Sequence, residues 1–245
     1  MNHFEQLTTD PRFDLHWQMT NCERFALQGL LQRLSPELAI EIGTYQGGSL
    51  QVLSNFSERV ISVDIDPAVG RDLCGKFKNV EFVSGDSAVL LPDLIERLNA
   101  KGENVGFILI DGDHSSEGVK RDIEAVLRLK PHGRVVIVMH DSFNPGCRTG
   151  MRMADWSGCP HVHWVELDFI PGVYHYKAHD TAPPRSLWGG FACAILEAQP
   201  REGLLTVGES QRELFEAVHE SSSRVPAAQR SFCSKVLGRL ERMLR

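Results

Sequence analysis

Long apolar runs are missing from this sequence, and their absence excludes one class of protein. No uninterrupted apolar stretch reaches the roughly 18 residues that a membrane-spanning helix needs. Residues 1–17 also lack the basic-then-apolar order of a secretory signal. We therefore expect a protein without a membrane span that works in the cytoplasm.

Paired cysteines are missing as well. The six cysteines are scattered along the chain and form no C-x-x-C pair, so a zinc site of the usual spacing is not expected. In a reducing cytoplasm most of these thiols should stay free. Cys193 lies in an apolar run and is predicted to be a small core residue.

Positive charge is in short supply, with 26 Lys and Arg residues against 32 Asp and Glu residues and a formal net charge of -6. Nucleic-acid affinity comes from clustered basic side chains, so no nucleic-acid partner is expected. The apolar fraction of 42% and the charged fraction of 24% are ordinary for a globular protein. A length of 245 residues is enough for one α/β domain with a sizeable core.

Strand-like and helix-like segments alternate along most of the chain. An amphipathic helix is predicted over 22–34, and helical patterns follow each of the first four strands. Strands are predicted over 38–43, 59–66, 80–86, 105–113, 134–141, 163–169 and 191–198. This alternation predicts βαβ units and a mostly parallel sheet, with ligands binding outside the carboxyl ends of the strands.

A glycine-rich turn, EIGTYQGGS over 41–49, follows the first strand. Glycine lets the backbone turn sharply and approach a ligand, and the next helix begins with free N–H groups. The spacing is G-x-x-x-G, which differs from the G-x-G-x-x-G of dinucleotide sites. The turn predicts a ligand site, and a tight turn without a ligand is the alternative.

Acidic side chains follow the second and third strands. Asp64, 21 residues after Gly43, could accept hydrogen bonds from ribose hydroxyls, whereas Asp66 is expected to cap the helix that begins at Pro67. Asp86 could accept a hydrogen bond from the amine of adenine or cap the following helix, and the sequence leaves both open. These positions predict an adenosine-containing ligand.

Taken in order, these features resemble the class I S-adenosylmethionine-dependent methyltransferases. The resemblance runs from about residue 22 to 198 and is carried by the ExGxxxG turn, the acid after strand two and the G-D-S triplet after strand three. It implies a Rossmann-like, doubly wound α/β fold whose seven-stranded, mostly parallel sheet has the order 3-2-1-4-5-7-6. It also implies cofactor contacts at Glu41, Gly43, Thr44, Gly47, Ser49, Asp64, Asp86 and Ser87.

The segments IDGDHS over 110–115 and MHDS over 139–142 follow the fourth and fifth strands. In the strand order that the resemblance implies, the fourth and fifth strands are neighbours about 4.8 Å apart, so Asp111 and Asp141 are expected to converge. Carboxylate oxygens suit Mg²⁺, which could orient an acceptor hydroxyl and favour its alkoxide. His114 could take the proton from that hydroxyl.

The D-G-D-H-S segment is similar to that of metal-dependent catechol-type and sugar O-methyltransferases and of the cephalosporin hydroxylase-like group. This resemblance implies metal ligands at Asp111, His140 and Asp141, and a base at His114. His140 departs from the branch, which usually has an acid or an Asp-Asn pair there, and imidazole suits Mn²⁺ or Fe²⁺ better than Mg²⁺. A core histidine that is satisfied by a backbone carbonyl is the alternative.

The function that follows is transfer of a methyl group from S-adenosylmethionine to a hydroxyl of a small-molecule acceptor, such as a sugar or a secondary metabolite, assisted by Mg²⁺ or another divalent metal. N-methylation stays open. A hydroxylase-like or other oxidative enzyme on the same fold is an alternative, although the missing G-x-G-x-x-G argues against NAD. A non-catalytic adenosyl-binding scaffold is the other, since fold alone does not prove activity.

The expected organisation has three parts: an N-terminal arm over 1–21, the S-adenosylmethionine-binding catalytic domain over 22–200, and a helical extension over 201–245. The basic amphipathic helix predicted over 227–245 would pack on the domain or on a second subunit of a homo-oligomer, or contact an anionic surface.

One long segment of the catalytic domain, 170–190, is aromatic and rich in Pro and Gly. Long ordered loops are usually functional, so we expect it on the substrate side, with a structural crossing as the alternative. Tyr174 and Trp188 are candidates for an apolar wall there, and His175 and His179 for acceptor contacts.

Overall fold

The computed structural model describes residues 12–179 and 182–223. The helices are α1 Asn21–Leu34, α2 Leu50–Phe56, α3 Pro67–Leu73, α4 Ser87–Lys101, α5 Ser116–Val126, α6 Pro145–Met153 and α7 Arg212–Ser223. The strands are β1 Leu38–Ile42, β2 Arg59–Asp64, β3 Val80–Ser84, β4 Val105–Ile110, β5 Val135–His140, β6 Val162–Ile170, β7 Val173–His175, β8 Ser186–Trp188, β9 Phe191–Leu196 and β10 Val207–Gly208.

The main sheet has the order β3-β2-β1-β4-β5-β9-β6-β10. Strands β1 to β5 pair in parallel, and β9 runs antiparallel to both β5 and β6. The short strands β7 and β8 form a separate sheet, so β9 is the seventh strand of the main sheet along the chain. The first seven positions therefore have the predicted order 3-2-1-4-5-7-6, and the fold class is confirmed. The prediction of seven strands misses β10, which pairs with β6 through Val207 and Val165. A two-residue strand is too short to show a hydrophobic period.

Alternate residues of each central strand point to opposite faces of the sheet, and both faces are covered. In β1, Ile40 packs with the cluster that includes Leu94 of α4 and Ile123 of α5. Ala39 packs with the other cluster, which includes Leu27 of α1 and Leu53 of α2. Helices on both faces explain why the central strands read as continuous apolar runs.

Residues 12–20 lie against the glycine-rich turn. The side-chain amide of Gln51 donates to the carbonyl of Leu15 at 3.2 Å, and its oxygen accepts from the Leu15 N–H at 3.0 Å. A Cβ at Gly48 would lie 2.3 Å from the carbonyl oxygen of His16, so the close approach requires glycine there. This contact brings the N-terminal segment to the carboxyl edge of the sheet.

The segment 170–190 contains a hairpin instead of an irregular loop, since β7 and β8 pair antiparallel from Val173 and Trp188 to His175 and Ser186. The sequence missed it because strands of three residues carry little periodic signal.

Residues 201–223 contact the rest of the domain through a buried arginine. Arg148 on α6 is fully buried, and its guanidinium forms two hydrogen bonds to Asp168 on β6, at 2.6 and 3.1 Å. It also contacts Glu209 at 2.8 Å and lies 4.4 Å from the ring centre of Phe215 on α7. Paired charge of this kind offsets the cost of burying the guanidinium.

The helix predicted over 227–245 lies outside the described residues. Among the helices of the described ranges, none is long and apolar enough to cross a membrane. Cys193 is a buried free thiol in β9, as predicted.

Candidate active site

Two cavities meet at the carboxyl edge of the parallel strands. The first, of about 600 Å³, is lined mainly by the glycine-rich turn and by the ends of β2, β3 and β4. The second, of about 1060 Å³, is lined by the N-terminal segment, the ends of β4 and β5, and the hairpin β7–β8. Trp17, Asp111 and His114 line both cavities, so the boundary between them carries ionisable side chains.

The glycine-rich turn adopts its shape because three of its residues, Gly43, Tyr45 and Gly47, have left-handed backbones. Gly43 has φ +85°, and a Cβ there would lie 2.0 Å from the carbonyl oxygen of Asp111. Tyr45 has φ +50° and exposes its ring to solvent. The end of β1 can therefore pass directly beside the end of β4.

Glu41 lies beneath the turn. Its carboxyl group is fully buried and accepts hydrogen bonds from the hydroxyls of Ser49 at 2.5 Å and Thr44 at 2.8 Å. Burial raises the pKa of Glu41 to about 8, against the lowering effect of these two hydroxyls. The contacts observed for Glu41 are therefore with the turn itself.

Asp64 joins the end of β2 to the same turn. One carboxylate oxygen accepts from the N–H groups of Thr44 at 2.8 Å and Tyr45 at 2.9 Å, and the other accepts from that of Asp66 at 2.8 Å. Asp66 caps α3 by accepting from the Ala68 N–H at 2.8 Å, as predicted. Asp64 thus lies at the cavity wall and shapes the turn.

Asp86 and Ser87 lie at the far end of the first cavity. Asp86 accepts from the Ala88 N–H at 2.9 Å, so it is the N-cap of α4. Ser87 donates to Asp122 at 2.8 Å, and burial raises the pKa of Asp122 to about 6.

Most of the predicted cofactor contacts line the first cavity, whereas Glu41 and Gly47 do not. Those that line it are Gly43, Thr44, Ser49, Asp64, Asp86 and Ser87. A Cβ at Gly47 would lie 3.1 Å from side-chain atoms of Leu15 and Leu73, so this glycine serves packing under the turn.

At the boundary of the two cavities, Asp111, His114 and Asp141 converge. His114 Nε2 lies 3.1 Å from Asp141 Oδ2 and 3.5 Å from Asp111 Oδ1. Hydrogen bonds to Asp111 and Asp141 raise the pKa of His114 to about 10, so its imidazole holds a proton near neutral pH. The indole of Trp188 packs edge-on against the imidazole, with ring centres 5.8 Å apart.

The same three side chains are the group whose donor atoms could hold a divalent cation, since these atoms lie within 4.8 Å of one another. Two carboxylates and one imidazole fit Mn²⁺ or Fe²⁺ as well as Mg²⁺. His140 lies outside this group of three but turns its Nδ1 toward the same carboxylates, 3.0 Å from Asp111 Oδ1 and 3.7 Å from Asp141 Oδ2, while its Nε2 faces Glu23. Its role as a ligand stays a prediction. Metal binding itself remains a prediction.

His140 is buried among carboxylates. Burial opposes its charge, but the charges of Asp111 and Asp141 outweigh that effect and raise the pKa of His140 well above its usual value. The interpretation as a histidine paired to a backbone carbonyl is not supported by these contacts, because both ring nitrogens face carboxylate oxygens.

Glu23 is the site residue that sequence reasoning missed. It is fully buried on the first turn of α1, and its Oε1 lies 3.3 Å from His140 Nε2. The sequence offers one signal, the T-x-x-E pattern from Thr20 to Glu23, which predicts a capping box that the structure contains. That pattern marks a helix start and does not indicate a contact with β5.

Residues 40–142 match a family model described as a methyltransferase domain. The match covers the strands that carry the site, and the chain has the fold of the class I S-adenosylmethionine-dependent methyltransferases. The strand order and the cavity beside the glycine-rich turn agree with that assignment.

Curated relatives of this chain include a rhamnosyl O-methyltransferase of Mycobacterium bovis, which is 30% identical over 128 residues. The match covers 48% of this chain and 51% of the relative, and a protein of the same name from Mycobacterium tuberculosis gives the same values. The chain spans about half the length of the curated relatives it matches.

Solved structures of methyltransferases share the fold. An O-methyltransferase of Bacillus cereus in complex with S-adenosylhomocysteine has a TM-score of 0.52 and 18% identity, covering 74% of this chain and 83% of that chain. An O-methyltransferase of Streptomyces achromogenes involved in tomaymycin synthesis, in complex with S-adenosylmethionine, has a TM-score of 0.54 and 16% identity, with coverages of 80% and 94%. At these identities the comparisons bear on the fold.

Proposed function

We propose that this methyltransferase transfers the methyl group of S-adenosylmethionine to a hydroxyl of a small-molecule acceptor. The observation that carries the proposal is the convergence of Asp111, His114 and Asp141 where the two cavities meet. A donor in the first cavity and an acceptor in the second would meet at these side chains. Such alignment supplies much of the rate in group transfer.

The first cavity is the proposed cofactor site, and its size lies within the roughly 300–1,000 Å³ typical of ligand pockets. S-adenosylmethionine supplies a methyl group that is activated on a sulfonium. Asp64 has about four acceptor positions, of which three backbone N–H groups use three. The remaining one, on Oδ1, would accept from a ribose hydroxyl, and Asp86 and Ser87 would face the adenine.

We assign the acceptor's proton to His114. Its Nε2 is held by Asp111 and Asp141 at the boundary of the cavities, and the ring is partly exposed there. A divalent cation, if bound, would supply Lewis acidity to the acceptor oxygen. In this proposal Asp111 and Asp141 would hold that cation, and His114, with its Nε2 left free of the metal, would accept the hydroxyl proton.

The second cavity supports a neutral, polyhydroxylated acceptor such as a sugar. Its lining includes the aromatic side chains of Trp17 and Trp188. Among the described residues that line it, Arg24 is the one with a lysine or arginine side chain. The guanidinium of Arg24 donates to the carbonyls of Met19 at 2.9 Å and Trp17 at 3.3 Å. It is therefore engaged with the wall, and rhamnosyl groups in the relatives' name agree with a sugar acceptor.

The same reasoning supports the expected organisation. In this proposal residues 22–200 form the catalytic domain, and the hairpin within 170–190 faces the substrate through His175 and Trp188. The arm 1–21 would contribute through its described part, which lines both cavities. The extension 201–245 would add α7 to the outer side of the hairpin.

Calorimetry on metal-stripped protein tests the proposal first. S-adenosylmethionine, S-adenosylhomocysteine and NAD are titrated separately, each with and without Mg²⁺ or Mn²⁺. We expect micromolar affinity for the two adenosyl ligands and none for NAD. Mass spectrometry then follows methyl transfer to methyl rhamnoside and to catechol. Absence of adenosyl binding would refute the proposed cofactor site, and transfer to catechol alone would refute the sugar acceptor.

A further inference from the structure

A continuous line of carboxylates and imidazoles runs from α1 to the boundary of the cavities. Glu23 Oε1 lies 3.3 Å from His140 Nε2, and His140 Nδ1 lies 3.0 Å from Asp111 Oδ1. The same Asp111 oxygen lies 3.5 Å from His114 Nε2. Acids and imidazoles alternate along this line, so each charged group has an oppositely charged or hydrogen-bonding neighbour.

The two oxygens of Glu23 serve different partners. Oε2 accepts from the Thr20 N–H and completes the capping box of α1. Oε1 accepts from the Gly190 N–H, between β8 and β9, and faces His140. A capping role uses Oε2 alone, and it does not require a carboxylate that is fully buried beside a histidine. Burying such a charge is unfavourable unless partners surround it.

His140 is held on every side that the structure describes. Its ring packs against Phe191 with centres 5.6 Å apart, and its Nδ1 is engaged with Asp111. The buried Nε2 lies 3.3 Å from Glu23 Oε1, close enough for a charge contact but without the geometry of a hydrogen bond, and it has no other partner among the described residues. The Glu23 carboxylate is therefore the group on that side that can favour one orientation of the imidazole, whose Nδ1 contacts Asp111 Oδ1.

We propose that Glu23 is a positioning residue that acts through His140 to hold the Asp111 carboxylate at the boundary of the two cavities. The consequence for methyl transfer rests on the proposed function of Asp111 and His114. Residues that orient a functional carboxylate or imidazole typically change activity by roughly 10- to 100-fold when they are replaced.

The first test needs no acceptor and no metal. The full chain is labelled with ¹⁵N-histidine, and the ring signals of His140 and His114 are assigned by their loss in His140→Asn and His114→Asn. At one fixed pH, Glu23→Gln should shift the ring signals of both histidines, because the amide keeps the shape of the carboxylate without its charge. Thr20→Val, which removes the hydroxyl that accepts from the Glu23 N–H in the same capping box, should shift neither.

A shift of neither ring in Glu23→Gln, or equal shifts in Thr20→Val, would overturn the proposal and leave Glu23 as a helix cap. If Glu23→Gln does not fold, Glu23→Asp provides the second variant, since it keeps the charge but withdraws it from His140. We expect the same two rings to shift, and unchanged rings would again overturn the proposal.

Kinetics give the second test. Glu23→Gln should lower kcat roughly 10- to 100-fold and change acceptor KM and the Kd of S-adenosylhomocysteine less than twofold. In a His140→Asn background the same change should add less than twofold, because the two residues act in series. Losses that multiply would overturn the route through His140. If the wild type methylates none of the acceptors, the proposed function fails while the histidine signals still decide the role of Glu23.

Discussion

The two cavities are built in different ways. The first takes most of its lining from residues 42–121, which belong to successive βα units of the parallel sheet. The second gathers residues 13–24, the ends of β4 and β5, and residues 173–189, which are distant in sequence. The first cavity, the proposed donor site, is therefore a consequence of the sheet topology, whereas the second, the proposed acceptor site, depends on how outlying segments pack onto the sheet. Of these segments, residues 173–189 line the second cavity alone, so variation there would change its lining and leave that of the first unchanged.

The carboxylates beside the two cavities also differ in their partners. Beside the first cavity, Glu41 and Asp64 are satisfied by hydroxyls and backbone N–H groups, which do not titrate near neutral pH. At the boundary with the second cavity, Asp111 and Asp141 are paired with imidazoles. Imidazole–carboxylate pairs are thus found where the proposed acceptor would lie, and such paired groups with shifted pKa values are typical of functional sites.

The largest effect is expected for His114→Ala, which tests whether the acceptor's proton is taken by His114 at the boundary of the two cavities. The transfer rate should fall by roughly 10²- to 10⁴-fold because a positioned acid–base group is lost. The Kd of S-adenosylhomocysteine should stay within twofold in calorimetry. His132→Ala, at an exposed histidine outside both cavities, is the matched control. Near-normal turnover of the His114 variant would remove the base assignment.

The next effect concerns the first cavity. Asp64→Ala should weaken S-adenosylhomocysteine more than tenfold, or about 1.4 kcal/mol, because it removes a ribose acceptor and frees the Thr44 and Tyr45 N–H groups. Calorimetry measures the Kd directly. Asp72→Ala, at an exposed acid on α3, is the control. An unchanged Kd for the Asp64 variant would exclude it from the ribose contact.

A smaller effect on acceptor KM should show that the second cavity binds the acceptor and not the cofactor. Trp188→Leu removes an aromatic wall and its edge contact with His114, and such contacts contribute about 0.5–1.5 kcal/mol. We expect acceptor KM to rise about fivefold in steady-state assays while the cofactor Kd is unchanged. Trp164→Leu, on β6 outside both cavities, should change neither. A rise in the cofactor Kd alone would reverse the assignment of the two cavities.

The smallest functional effect is expected for Glu41→Gln, which should alter the pH dependence of stability. The pKa of Glu41 is raised from 4.5 to about 8 by burial, so between these values the folded state keeps a proton that the unfolded state has lost. This group therefore lowers the free energy of unfolding as pH rises from about 4.5 to about 8.

Glu41→Gln removes that dependence. As the pH rises from 5 to 9, the free energy of unfolding of the variant should therefore increase relative to that of the wild type. Urea denaturation at several pH values measures this difference. Parallel stability curves for the two proteins would mean that Glu41 titrates normally in the folded state.

The amino-acid sequence by itself determined the features that depend on near neighbours. The alternation of strands and helices, the sharp turn at Gly43 and the cap at Asp66 were all predicted, because each is encoded by residues a few positions apart. Family resemblance added the order of the long strands. Very short strands such as β10 have too few residues to carry a pattern.

Only the tertiary structure decided the acceptor side. Glu23 and Gly190 are 167 residues apart, yet they share a hydrogen bond beside His140. Sequence motifs placed His140 beside Asp111 and Asp141, and its Nδ1 does face them, but only the tertiary structure brings Glu23 of α1 to its Nε2. Such contacts depend on how distant segments fill space around the sheet, and no local pattern records that geometry.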